Sequence, residues 1–307
     1  MKHHAAGFIL FPVLIISVLL MTAGCGTAPA SVPPVQSEAG RSAADQNAET
    51  AAAEQYNTAD VLQNSQNSST AQQDYGVFIG MTPEQAAQTG AYRRIIIDAS
   101  DFTEEEIQAL HSRDTEVYSY LNIGSIETFR SYYAQFRQDR LAPYAGWKDE
   151  YWMDVSDPAW QNYTAEVLAP ALKDKGIDGL FLDNFDVYWR YPNDQIYTGL
   201  TTILKMLDSL GLPVVINGGD EYVRAALRSG ELPACVKGVN QESVFTASDP
   251  DSADWYQTYL KDCAAGHLDC WLIEYQAGEK QKKEAEEYCK SAGYHVFFAD
   301  DEDLDQE

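Results

Sequence analysis

The chain has 307 residues, 45% of them hydrophobic, and 47 acidic side chains against 21 basic ones give a formal charge of −26. That balance excludes nucleic acid and anionic lipid headgroups as favoured partners and suits a cationic one, although acidity for solubility has the same sign. Five histidines and five cysteines occur with no CxxC, HxH or HExxH spacing, so neither a zinc site nor any other metal or cofactor is expected.

The N-terminus begins with Lys2, His3 and His4, then runs through "FILFPVLIISVLLM" (8–21), which is short for a membrane span. "TAGCG" (22–26) follows. A small-small-Cys ending on an apolar run reads as a bacterial lipobox, which makes 1–24 a lipoprotein signal peptide and Cys25 the lipidated new N-terminus. An ordinary secretory signal cleaved nearby is the alternative. Either implies export, and the lipobox places the protein on the extracytoplasmic face of a cell membrane. Residues 25–74 are rich in Ala, Ser, Gln, Asn, Thr and Pro and poor in large apolar groups. Such a composition cannot offset its ordering entropy and reads as a disordered linker, with a root-mean-square reach of roughly 40 Å as a flexible coil.

Residues 75–303 carry the folded domain. Strand-like runs are "YGVFIG" (75–80), "RIIIDA" (94–99), "EVYSYLNIG" (116–124), "YWMDVS" (151–156), "DGLFLDN" (178–184), "PVVINGG" (213–219), "KGVNQES" (237–243), "CWLIEY" (270–275) and "HVFFAD" (295–300). Helical patterns alternate with them: Thr103 with Glu106 has capping-box spacing, "SDPAW" opens a helix, and Gly176, Gly266 and Gly293 stop three. This alternation predicts an α/β fold with a parallel sheet, and its size suits a (β/α)8 TIM barrel. The ninth segment, 295–300, is either an extra C-terminal strand beside the barrel or a sign that another of the nine lies elsewhere. A doubly wound open sheet competes, without a GxGxxG, P-loop or GxSxG motif to support it.

Strand after strand ends on a polar residue: Asp98, Asn122, Asp154, Asp183, Asn217, Glu242 and Glu274. In a barrel these ends converge on one mouth, where active sites are built. A mouth rich in carboxylates and poor in histidine suits glycosidic cleavage, which needs one carboxyl protonated and another ionised. Tyr120, Trp147, Trp152, Tyr188, Trp189, Tyr222 and Tyr275 could stack on sugar rings or simply pack barrel against helix. Asp178, at the opposite end of its strand from Asp183, reads as a stability residue.

"YLNIGSIETFR" (120–130), "WKDEYWMDVSDP" (147–158), "GIDGLFLDNFDVY" (176–188), "VINGG" (215–219), "GVNQESVF" (238–245) and "WLIEY" (271–275) together resemble glycoside hydrolase family 114, the endo-α-1,4-polygalactosaminidase-like (β/α)8 barrels. The resemblance runs in order over about 75–300. It implies Asp183 and Glu242 as the catalytic pair, on strands five and seven of the nine, one protonating the leaving oxygen while the other attacks C1 or stabilises the oxocarbenium ion. Glu242 as acid/base with Asp183 as nucleophile is the favoured assignment and the reverse is the alternative. It implies a cationic galactosamine-type polysaccharide as substrate, contacted by residues drawn from Asp98, Asn122, Glu127, Trp152, Asp154, Asn184, Asp186, Tyr188, Asn217, Glu274 and Tyr275. For several of these a structural role is equally open; Glu127 and Arg130, for instance, have the i,i+3 spacing of a weak helical ion pair.

The competing functions are a non-catalytic carbohydrate-binding surface lipoprotein and, less favoured, a metal-dependent deacetylase. Retention of both Asp183 and Glu242 favours the hydrolase. The chain is expected to act as a monomer. In the order of elements, Cys235 and Cys270 begin strands while Cys263 and Cys289 lie on helices. Pairing within each set is one expectation for an exported protein, and four reduced thiols are the other.

Overall fold

The computed structural model describes residues 72–306. The signal peptide, Cys25 and nearly all of the linker lie outside the described residues. Eight parallel strands form one sheet in the order β1 (Gln73–Val77), β2 (Tyr92–Ile97), β3 (Glu116–Asn122), β7 (Gly179–Asp183), β8 (Val214–Asn217), β9 (Val236–Glu242), β10 (Asp269–Tyr275) and β11 (His295–Ala299). Their middles, such as Ile95–Ile97, Leu180–Leu182 and Val214–Ile216, are buried on both faces, as expected where helices cover a curved sheet. The sheet curls into a (β/α)8 barrel. β1 and β11 face each other across the one junction without a backbone ladder.

Side chains close that junction from within. The Tyr75 ring of β1 packs 5.1 Å from the Trp271 ring of β10, and its hydroxyl donates to the Leu272 carbonyl. Below them the Arg94 guanidinium lies 4.6 Å from the Tyr118 ring centre and 4.7 Å from that of Trp271, and it pairs with Glu116. The interior is thus filled rather than open, as in barrels of this size.

Of the nine segments read as strands, 151–156 is the one outside the barrel. Its core, β6 (Glu150–Met153), joins β4 (Ser125–Glu127) and β5 (Arg140–Pro143) in a small antiparallel sheet inserted between β3 and β7. The C-terminal segment, left over in the count, is the terminal strand of the eight-stranded sheet, paired in parallel with β10. Asp183 and Glu242 therefore sit on the fourth and sixth staves, and their next-but-one relation is kept.

Local start signals hold. Thr103 and Glu106 exchange both capping-box bonds, and Asp157 Oδ1 accepts from the amides of Ala159 and Trp160 at the next helix start. Asp178 accepts from the Val117 amide at 2.7 Å and meets His111 at 2.9 Å, which pins β3 to a helix at the end of the barrel away from the mouth. The four cysteines of the barrel are all buried and unbridged, so the disulfide pairing is not made.

Candidate active site

Asp183 ends β7, Asn217 ends β8 and Glu242 ends β9. Asn217 Nδ2 donates to Asp183 Oδ1 at 2.9 Å and to Glu242 Oε1 at 2.8 Å. These two legs limit the separation of the bridged oxygens to 5.7 Å. The amide is oriented from behind, since its Oδ1 accepts from Asn240 Nδ2 at 2.7 Å. Asn240 is fully buried, and its own Oδ1 lies 3.4 Å from the Tyr75 hydroxyl. A relay of three side chains thus fixes which way the bridging amide points.

Burial drives the pKa values of both carboxyls upward. Asp183 is pushed up to about 7, first by desolvation and then by the charge of Glu242, against the stabilising amide of Asn217. Glu242 is also raised by burial, and hydrogen bonds from Asn217 and the Tyr275 hydroxyl offset part of that. Two carboxyls this close titrate as a unit, and near neutrality they hold one proton between them.

Further acids crowd the same mouth. Asp186 is likewise pushed up to about 7, by burial and then by Asp220. Its Oδ2 accepts from the Gly219 amide at 3.2 Å. Gly218 and Gly219 both have left-handed backbones, at φ 62° and 65°, and a Cβ on Gly218 would collide with that same oxygen. Only glycine permits this approach. The acidic run after β11 adds to the field, with Glu302 raising the pKa of Glu242.

Glu150, at the start of β6, was missed by sequence reasoning. A barrel strand begins at the end remote from the mouth, but β6 is antiparallel and its start overhangs the mouth. The signal was available: "LAPYAGWKDEYW" (141–152) has the turn glycine and flanking polar–apolar pattern of a hairpin. Glu150 Oε1 accepts from Asn122 at 3.0 Å, from Asn184 at 3.1 Å and from Ser125 Oγ. Asn184 also reaches Asp183 Oδ2 at 3.3 Å and Asn122 Oδ1 at 3.1 Å. Asn122 and Asn184 are therefore buried positioning groups, with Asn184 linking Glu150 to the Asp183–Glu242 pair. Trp152 and Tyr144 pack with ring centres 4.1 Å apart and planes tilted by 50°, and Asp183, Asp186, Glu150 and Glu242 all raise the Tyr144 pKa once burial has done so.

Other expected contacts separate from this group. Asp98 and Glu127 are held by Arg130, at 2.7 and 3.0 Å, with all three side chains at most 14% exposed. Glu127 ends a strand rather than lying on a helix, so the expected weak helical pair is instead a buried triad. Burial alone would lower the Arg130 pKa; Glu127 and Asp98 reverse that and raise it. Asp154 closes a turn, accepting from the Ser156 amide and hydroxyl. Glu274 is sealed from solvent and accepts from the amides of Phe245 and Thr246 and from the Thr246 hydroxyl. It anchors the loop after β9 and cannot touch a substrate, whereas its neighbour Tyr275 reaches Glu242. Tyr188 packs against Tyr197 and Tyr222 at 5.6 and 6.3 Å.

The fold has counterparts among solved structures. The glycoside hydrolase domain of PelA from Pseudomonas aeruginosa superposes with a TM-score of 0.62 at 20% identity, over 76% of this chain and 96% of that one. Aspergillus fumigatus Ega3, solved in complex with galactosamine, gives 0.62 at 16% identity over 76% and 93%. These likenesses establish a shared fold. No curated protein matches by sequence. The model of glycoside-hydrolase family GH114 matches residues 56–306, and the chain, a glycosidase, belongs to that family.

Proposed function

We propose that the protein cleaves α-1,4-linked galactosamine-type polysaccharide by a two-carboxylate mechanism, while tethered to the extracytoplasmic face of a membrane through Cys25. The observation that carries the mechanism is the single Asn217 amide shared by Asp183 and Glu242. Asp183 has donors on both oxygens, from Asn217 and Asn184, as suits an anion aimed at C1 of the sugar. Glu242 donates its proton to the leaving oxygen, and afterwards takes one from the water that releases the sugar. Two carboxyls bridged by one amide, with the bridged oxygens no more than 5.7 Å apart, suit the roughly 5–5.5 Å carboxyl spacing of retaining enzymes better than the ~6.5 Å or more of inverting ones. Retention of anomeric configuration is therefore expected.

The substrate class rests on charge. Asp183, Asp186, Glu150 and Glu242 share the mouth, whereas the nearby Arg130 is committed to Asp98 and Glu127. A polymer of free amines would neutralise these acids as it bound. Ega3 carries galactosamine in its crystal structure, which supports the same sugar here.

The test is to incubate the purified protein with deacetylated and acetylated galactosaminan and follow chain length and product anomer by NMR. Shortening of the deacetylated polymer with the α-anomer formed first is expected; binding without shortening would favour the carbohydrate-binding alternative. Activity should fall as pH rises through about 7, because the pair then loses its one shared proton. A rate that keeps rising above pH 8 would contradict the shared proton.

The anchor is tested separately. Cys25→Ser should move the protein from the detergent phase to the aqueous phase on Triton X-114 partition of cells expressing it, without loss of polymer cleavage. Unchanged partition would dismiss Cys25 as the lipid site.

A further inference from the structure

Beyond the four acids, one exposed aromatic is held in a fixed pose beside the mouth. Trp255 lies in the helix Pro250–Ala265 that follows β9, and it is 43% exposed. Its indole Nε1 donates to Asp220 Oδ2, at the start of the helix that follows Gly219. The Arg224 guanidinium, one turn further along that helix, lies 4.4 Å from the Trp255 ring centre. Arg224 is itself held, with Nη2 at 2.8 Å from Asp262 while buried Nε and Nη1 have no hydrogen-bond partner. A guanidinium with free N–H groups against a ring is the arrangement of a cation–π contact.

An exposed surface tryptophan usually samples several rotamers. This one is tied at its edge and backed on one face, so a bare apolar surface is held open at a loss of burial that folding does not require. Its position explains what the surface is for. Asp220 is three residues beyond Asn217 and directly follows Gly219, whose amide donates to Asp186 Oδ2 at 3.2 Å, and the charges of Asp220 and Asp183 both act on Asp186. The ring therefore stands on the rim, one carboxylate pair outward from the bridging amide.

We propose that Trp255 is a stacking platform for a sugar ring of the bound chain, outside the unit being cleaved, and that the adjacent Asp186 and Asp220 recognise that ring's ammonium group. The apolar face of a pyranose lies flat on the free face of the indole, and the amine at its edge meets the carboxylates. This subsite rests on the substrate class proposed above, but the platform itself requires only a carbohydrate.

The experiment measures binding and cleavage independently. Wild type, Trp255→Ala and Trp255→Phe, each checked for unchanged thermal unfolding, are titrated by calorimetry with galactosamine oligomers and with acetylated and neutral oligosaccharides. Trp255→Ala should weaken binding of the best oligomer at least about tenfold, whereas Trp255→Phe, which keeps a ring, should recover much of it. In polymer cleavage the loss should fall on KM rather than kcat. Equal affinity of wild type and Trp255→Ala for every oligomer, or no binding by wild type, overturns the platform. Equal loss in Phe and Ala variants overturns it too, since that outcome reports only the lost hydrogen bond to Asp220. Failure of wild type to cleave galactosaminan, with a Trp255-dependent affinity for another sugar, overturns the substrate assignment and leaves the platform standing.

Discussion

Replacing Asp183 with Asn, or Glu242 with Gln, should lower kcat at least about 10³-fold while the barrel stays folded. Both substitutions preserve shape and keep an acceptor for the Asn217 amide, so the loss reports chemistry rather than packing. The two variants should differ on a substrate whose leaving group needs no proton, such as a nitrophenyl glycoside. Glu242→Gln should regain part of its rate there, and added azide should restore more; Asp183→Asn should stay inactive in both tests. Reversal of that pattern would exchange the two roles, and turnover in either variant close to wild type would remove the residue from the mechanism. Stability should move the other way. The pair holds on folding a proton that the unfolded chain has released, so its stabilising effect is fully present below about 3.8 and is lost as pH rises through about 7. Above pH 7 the folded protein keeps Asp183 ionised beside Glu242 at a cost that Asp183→Asn removes. That variant should therefore unfold at higher temperature than wild type at pH 8, with the gap closing towards pH 4.

Removing Arg130 should have the largest effect on stability among single changes near the mouth. Arg130→Met strands two carboxylates, Asp98 and Glu127, whose side chains are each 10% exposed. Asp98 then keeps the Ser100 amide and hydroxyl as donors and Glu127 the Tyr120 hydroxyl, while Glu127 Oε2 already lacks a partner. Breaking a buried pair from one side costs about 3–5 kcal/mol, or a fall in Tm of roughly 10 °C for a domain of this size. Adding Asp98→Asn and Glu127→Gln should recover much of the loss, because neutral amides are less costly to bury than bare carboxylates. A drop of under about 2 °C in Arg130→Met would mean that the two acids find water or protons instead.

The barrel and its catalytic staves were legible in the sequence because parallel strands buried on both faces leave continuous apolar runs. The runs centred on Ile96, Phe181 and Val215 all lie within strands of the sheet. The error at 151–156 arose because Tyr151, Trp152 and Met153 make a short continuous apolar run, with Trp152 and Met153 both buried, that passes for a barrel strand. It hid Glu150 by reversing which end of the strand faces the mouth. Glu274 was misplaced for a different reason. Successive side chains on a strand point to opposite faces, and on β10 it is Trp271 that points into the barrel, so Tyr275 follows it inward and Glu274 points out. Parity along the strand, applied to the bulkiest inward residue, would have separated the two. Of the Arg130 triad the i,i+3 pair with Glu127 was legible, whereas Asp98 is brought to it only by the fold.

The absence of a ladder between the first and last staves has a further consequence. A cylinder whose two margins are joined by rings and a phenol rather than by amides should breathe there first, and hydrogen exchange should find the margin of the stave that carries Tyr75 less protected than the central ones. That same phenol stands at the head of the relay that aims the bridging amide. The seam and the bridging amide therefore share a side chain, and Tyr75→Phe should lower the protection of the entry strand, as hydrogen exchange would show.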